Sequence, residues 1–413
     1  MPAWPDRPFL VGRDGAVALT YAELGARLAA REHRPVLRPA STSEALAGLV
    51  VAMVRQAPLR LVDGDFSSEE LAKLGVTEAE LAASAGLPGA APASLAEAQE
   101  RARSGSGFAL SLYTSGSTGL PKLVTHRRET LARTLREGPR HADDIWALAY
   151  NPTHIAGIQV ALQAFANGNP LVDVFGLDRA AVQEQLARRS VTHLSATPTF
   201  YRLLLPLESP LPSIRSLTLG GERSDPDLLA RLRAAFPTAR LHNLYASTEA
   251  GTLLVADGEL FGIHPAVEGK VRIEDGQLLV SRQLLATFEG RVVEGDWYPT
   301  GDRVEVVSEN PLRFRILGRT GDFINVGGAK VDPAEVEDAL RAFPGISEAR
   351  VFGRANSVVG TLLCAEYTSP STLAEPDIRA HLASRLQPHK VPRLFKRVDS
   401  LAKTRTGKLS RHA

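Results

Sequence analysis

Between Phe108 and Lys122 the chain reads FALSLYTSGSTGLPK, a stretch built from the residue types that hold an anion. Thr114, Ser115, Gly116, Ser117, Thr118 and Gly119 bring only hydroxyls, hydrogens and backbone amides, so phosphate oxygens can come close, and the glycines tolerate positive φ. Lys122 supplies the charge. A Ser/Gly/Thr run by itself is more often a surface turn. Here it follows Phe108, Leu110 and Leu112, whose alternation predicts a strand with one buried face, and it ends in Pro121-Lys122. The spacing is not the common nucleotide loop: Gly116 to Lys122 does not fit G-x-x-x-x-G-K-[ST], and Leu123 stands where that pattern wants a hydroxyl for magnesium.

Four other groups have suitable chemistry. Thr248 and Glu249 follow an expected strand at Leu241 to Tyr245, which puts them in a loop at its carboxyl end, where open α/β sheets bind ligands. Asp302, in Tyr298-Pro299-Thr300-Gly301-Asp302, could accept from a vicinal diol with two oxygens, although Gly-Asp is also an ordinary turn. Gly220, Gly221 and Glu222 follow an expected strand at Ser216 to Leu219, where glycines would let a flat ring lie on the backbone. Lys408 lies in a basic tail, Lys403-Thr404-Arg405-Thr406-Gly407-Lys408-Leu409; such tails are usually just solvated.

Taken in order, these stretches resemble the motifs of the adenylate-forming enzymes: acyl-CoA and aryl-CoA synthetases, adenylation domains of peptide synthetases, and luciferases. The first is similar to TSGSTG-x-PKG, departing at Leu123. Tyr245-Ala246-Ser247-Thr248-Glu249-Ala250-Gly251 resembles Y-G-x-T-E, with Ala246 for glycine; Tyr298 to Asp302 resembles Y-x-T-G-D. Arg319 and Asp322 resemble the hinge motif G-R-x-D-D, with Gly321 at the hinge, and Gly327-Gly328 resembles the pair beside a pantetheine arm. The tail resembles P-K-T-x-x-G-K, with Ala402 for proline. The resemblance implies that ATP is held by the loop residues with Lys122, Gly221, Glu222, Tyr245, Asp302 and Arg319. It implies that Glu249 binds Mg2+, that Thr248 contacts a phosphate, and that Lys408 bridges acid and α-phosphate oxygens. Asn151 to Gly157 resembles a pocket-entry segment, so His154, Gly220 and Gly251 are expected at the acid pocket, a buried structural histidine being the other reading of His154.

The implied reaction converts a carboxylic acid to an acyl-adenylate with release of pyrophosphate, then passes the acyl group to a thiol of CoA or of a carrier protein's phosphopantetheine. Amino-acid-activating relatives usually carry an aspartate in the pocket-entry segment; none stands between Tyr150 and Gly157, so an aryl or acyl acid is expected. No basic cluster identifies CoA over a carrier. A rival reading is a non-catalytic nucleotide-binding scaffold, suggested by the departures at Leu123, Ala246, Gly321 and Ala402 and by a short region before the loop.

These groups need a frame. Thr20 with Glu23 makes a capping box for a helix toward Arg31; helices are expected at Ser41 to Arg55, Ser67 to Leu74 and Asp178 to Arg189, with a strand at Arg60 to Asp63. Leu87 to Gly107 reads as a connector with one short helical piece. Strands at Trp146 to Tyr150, Val191 to Ala196, Ser216 to Leu219 and Leu241 to Tyr245 alternate with helices, one capped by Asp225 before Pro226, giving a layered α/β domain. Short strands with turns are expected from Val292 to Phe314. The domain boundary is placed at Gly318, giving units 1–318 and 319–413. The second is a small α+β lid with a helix at Pro333 to Arg341, strands at Ala349 to Phe352 and Thr361 to Tyr367, and a helix at Pro376 to Leu386.

At 413 residues, 44% hydrophobic and 23% charged, the composition is that of a globular enzyme. A net charge of +2 gives no reason to expect nucleic acid or a membrane surface. The single cysteine, Cys364, cannot form an internal disulfide or a thiolate zinc site, and no H-E-x-x-H occurs. The first residues carry neither a basic segment nor an apolar run, and no stretch reaches the roughly 18 apolar residues of a membrane span, so a cytoplasmic protein is expected.

Overall fold

The computed structural model describes residues 4–30, 32–114, 122–257, 260–288, 294–319, 323–326, 329–356 and 360–402. A large mixed α/β N-terminal domain is followed by a smaller C-terminal one. In the large domain one five-stranded sheet runs Thr287–Phe288, Lys122–Arg127, Ala109–Thr114, Pro58–Leu61 and Val36–Leu37. Phe108, Leu110 and Leu112 are at most 2% exposed, as their alternation requires. They pack into one core with helices Thr42–Val54 and Ile155–Asn167. Burying each Leu of that core contributes about 1.5–3 kcal/mol, which is what seats the hairpin above it.

The second sheet has 13 strands. Its centre is parallel: Leu171–Asp173, Trp146–Leu148, His193–Ala196, Ser216–Leu219 and Arg240–Ser247, so their carboxyl ends share one edge. Beyond Arg240–Ser247 the pairing turns antiparallel through Gly251–Asp257 and Leu260–Ile263. Helices form where their signals stood. Thr20 and Glu23 complete the capping box of Tyr21–Leu28, and Asp225 caps Pro226–Ala235 through the Leu228 amide.

The helical piece expected in the connector from Leu87 to Gly107 is the ten-residue helix Leu95–Ser104, capped by Ser94 and packed through Ala98 and Ala102. One expectation needs correction. The region expected as short strands holds Trp297–Glu309, 13 residues long, paired with Leu312–Arg319. A strand with one wet face tolerates the charged residues of this stretch.

The C-terminal domain has its own core of Val336, Leu340, Val351, Leu363, Ile378 and Leu382. It joins strands Glu348–Asn356, Gly360–Thr368 and Leu394–Arg397 to helices Pro333–Arg341 and Glu375–Ala383. Charges link the two domains: Arg223 lies 3.4 Å from Asp332 and 3.5 Å from Asp338, and Arg341 lies 3.7 Å from Asp225. Burial alone would raise the Asp225 carboxyl; Arg202, the Leu228 amide and Arg341 outweigh it and hold it below its usual range. Among the described residues no helix is long and apolar enough to cross a membrane.

Candidate nucleotide and acid site

Thr114 and Lys122 pair across the ends of the loop they bracket, and the Lys122 side chain is exposed. Ser115, Gly116, Ser117, Thr118 and Gly119 lie outside the described residues, as do Gly321, Asp322, Gly327, Gly328 and the tail with Lys408. Arg319 is described only in its backbone.

At the carboxyl edge of the parallel strands several sequence-distant groups meet. The Tyr245 hydroxyl donates to Asp302 Oδ2 at 2.5 Å, joining the end of one strand to a hairpin 57 residues on. Asp302 is 5% exposed, and its amide is held by Thr300 Oγ1, which in turn donates to the Leu278 carbonyl. Arg319 is the register partner of Asp302 on the next strand. Three residues from three motifs therefore share one corner. Glu222 Oε2 accepts from the Thr199 amide at 2.9 Å at the start of helix Pro198–Leu204, and Glu222 Oε1 is buried without a partner among the described residues. Tyr150 stands beside Gly220: a β-carbon on that glycine would lie 3.7 Å from the Tyr150 hydroxyl, which burial holds protonated.

Thr248 and Glu249 occupy the turn between Arg240–Ser247 and Gly251–Asp257. The Ala250 amide bonds Ser247 Oγ at 3.2 Å, and the Glu249 carbonyl accepts from the Ala286 amide at 2.8 Å. The next two residues, Thr287 and Phe288, pair with Thr125 and Val124 of the strand Lys122–Arg127. The Glu249 side chain is half-buried and makes no hydrogen bond or ion pair with any described residue.

Beneath this turn sits His126, 1% exposed, its Nδ1 3.2 Å from Thr130 Oγ1. Burial pushes its imidazole down to about 4; the facing Thr248 backbone partly offsets this and Arg133 adds to it, while Nε2 finds no partner of proper geometry among the described residues. The unfolded chain takes this proton near pH 6.5 and the folded one refuses it until about 4, so stability falls as pH drops through that window. The share of His126 is about 3 kcal/mol. Urea midpoints measured at pH 7, 6 and 5 should therefore decline less steeply in His126→Gln than in the wild type, with His193, likewise held at about 4, keeping its own share of the slope. Equal slopes would show that His126 is not buried neutral.

His154 is the N-cap of Ile155–Asn167 but gives no side-chain cap; its Nε2 lies 2.9 Å from Asp63 Oδ2, which also accepts from Asn151 Nδ2 at 3.2 Å. Gly157 allows this packing, because a β-carbon there would lie 2.3 Å from the Asn151 carbonyl oxygen. An aspartate does reach the pocket-entry segment, then, brought by the strand Pro58–Leu61 that lies beside the hairpin. His154 and Asn151 engage it. Sequence reading did not single out Asp63 as a site residue; the signal available was a carboxylate at the end of the strand expected at Arg60 to Asp63.

Comparison with known proteins shows the family and the fold. A model of the family described as AMP-binding enzyme matches residues 40–274, and one of the AMP-binding enzyme C-terminal domain matches residues 335–408. The chain is 26% identical over 351 residues to a plipastatin synthase of Bacillus subtilis, covering 73% of this chain and 9% of that protein. It is 28% identical over 343 residues to acetyl-coenzyme A synthetase of the same organism, covering 72% of this chain and 59% of that one. The chain thus spans less than two thirds of these two relatives. The solved structure of o-succinylbenzoate CoA synthetase from Bacillus subtilis, in complex with an acyl-adenylate, shares the fold with a TM-score of 0.72 at 21% identity, over 98% of this chain and 94% of that one.

Proposed function

Because this chain belongs to the family of AMP-binding enzymes, we propose that it activates a carboxylic acid with ATP and transfers the acyl group to a thiol. In the first step the acid's carboxylate oxygen bonds the α-phosphorus and the bond to pyrophosphate breaks. In the second a thiolate bonds the acyl carbon and AMP leaves. The observation that carries the reading is the corner where Tyr245, Asp302 and the strand position of Arg319 meet, on the same edge as the Thr248-Glu249 turn. Asp302 accepts from the ribose hydroxyls, Gly221 and Glu222 flank the adenine, and Lys122 with Thr114 to Gly119 cradles the phosphates. Lys408 neutralises the two anions as they touch.

Glu249 suits Mg2+. A half-buried carboxylate without a partner among the described residues is the donor such an ion takes, its other positions going to phosphate oxygens and water. When bound, the ion supplies charge to the phosphates; Glu249 fixes where. Glu249→Gln is expected to shift the magnesium dependence of pyrophosphate release upward about tenfold, and an unchanged titration would remove Glu249 from this role.

The acceptor we favour is CoA, supported by the acetyl-coenzyme A synthetase relative; the plipastatin synthase likeness keeps a carrier-bound phosphopantetheine as the second choice. The acid is acyl or aryl rather than an α-amino acid, since Asp63, the carboxylate brought to this segment, is engaged by His154 and Asn151. Gly321 serves as the hinge between units 1–318 and 319–413, and Gly327-Gly328 flanks the thiol's arm. Hydroxylamine trapping with ATP and a panel of aryl, short acyl and long acyl acids tests the first step, and the same panel with CoA tests the second. ATP binding with no acid-dependent pyrophosphate release would instead mark a non-catalytic scaffold.

A further inference from the structure

We propose that the acid carries a second carboxylate, remote from the reacting one, and that Arg133 and Gln159 receive it. The inference rests on the acid-activating reading above and deepens it. Arg133 follows the short helix Arg128–Ala132 and is half-buried beneath the Thr248–Gly251 turn. Its Nη2 donates to the Ala250 carbonyl at 2.5 Å. No carboxylate among the described residues pairs with it, and Nε is enclosed without a partner. Nη1 makes no hydrogen bond with any described residue. A partly desolvated guanidinium without a counterion is costly unless an anion arrives. Burial lowers both His126 and His264; the Arg133 charge lowers them further, and Arg136 also lowers His264, so neither histidine is a counterion for Arg133.

Gln159 supplies the second fork. It lies on Ile155–Asn167 five residues beyond His154, about 7 Å further along the helix axis. Its amide is half-buried and makes no hydrogen bond with any described residue. Gly251 is what opens both donors to the site. A β-carbon there would stand 3.3 Å from Arg133 Nη2 and 3.7 Å from Gln159 Nε2, and its φ of +68° disfavours any other residue. The segment is also fixed. Gln163 Oε1 accepts from the Arg136 amide at 2.9 Å, and the Arg136 carbonyl accepts from Gln163 Nε2 at 2.6 Å and Asn167 Nδ2 at 2.9 Å. A guanidinium and an amide held at one point beside Gly251 match a carboxylate. An apolar tail would leave both unpaired.

The experiment compares kcat/KM for α,ω-dicarboxylates of three to eight carbons, and for benzene dicarboxylates, with their monomethyl esters and matched monocarboxylates, by pyrophosphate release at saturating ATP. At least one diacid should exceed its ester by about thirtyfold or more. In Arg133→Gln that ratio should fall below about threefold, and Gln159→Leu should lower it by a smaller factor. Equal efficiencies across every pair, with activity present, overturn the inference and leave the ligase reading standing. A rise in KM for ATP or CoA in Arg133→Gln, with the ratio kept, assigns the cation to a phosphate and also overturns it. No pyrophosphate release with any acid, while ATP still binds, removes the ligase reading and this inference together. Should Arg133→Gln not fold, the wild-type ratio and Gln159→Leu decide.

Discussion

Lys408→Ala should lower acyl-adenylate formation by about two to three orders of magnitude while leaving ATP binding within a few fold. The reaction brings a carboxylate against a polyphosphate, and the cation between them matters most when the new bond is half made; losing one such donor costs about 3–4 kcal/mol of barrier. The sequence basis is Lys403 to Lys408, in order after the other motifs. Single-turnover pyrophosphate release with the best acid of the panel gives the rate, and equilibrium ATP titration gives the binding. A mutant as fast as the wild type would end the ligase assignment, whereas a loss confined to ATP affinity would make Lys408 a binding residue only.

Asp302→Ala should reduce kcat/KM for ATP by about a hundredfold, through two losses that can be measured apart. The ribose hydroxyls lose their acceptor, and the Tyr245 hydroxyl loses the oxygen it donates to at 2.5 Å, in a corner where Asp302 is 5% exposed. The second loss acts without nucleotide and should lower unfolding stability by about 1–3 kcal/mol. Tyr245→Phe separates them: it keeps the carboxylate for the ribose and should weaken ATP use by less than tenfold. If Tyr245→Phe proves as damaging to ATP use as Asp302→Ala, the carboxylate's direct contact with nucleotide is not what matters.

The legible parts of the sequence were those where one local interaction decides the structure. Thr20 with Glu23 and Asp225 before Pro226 each announced a helix, and each caps one. Ile155–Asn167 went unseen because His154 gives it no side-chain cap and its apolar residues run nearly all round, so neither start signal nor periodicity stood out. The long strand Trp297–Glu309 was hidden by its solvated face. Of the site, the motif residues were visible as types and spacings. The pairing of His154 with Asp63, and the meeting of Arg133 with Gln159 at Gly251, depend on tertiary contacts that no spacing encodes.

The stitch at residues 286–288 has a wider consequence. Because the Ala286 amide holds the Glu249 carbonyl while Thr287 and Phe288 extend the sheet of the strand Lys122–Arg127, the turn proposed to hold the metal and the hairpin proposed to cradle the phosphates are one woven fabric rather than separate flaps. The entropy of bringing carboxylate and cradle to a common spacing is spent when the chain folds, so an arriving nucleotide meets a gauge already set and its contact energy goes into affinity.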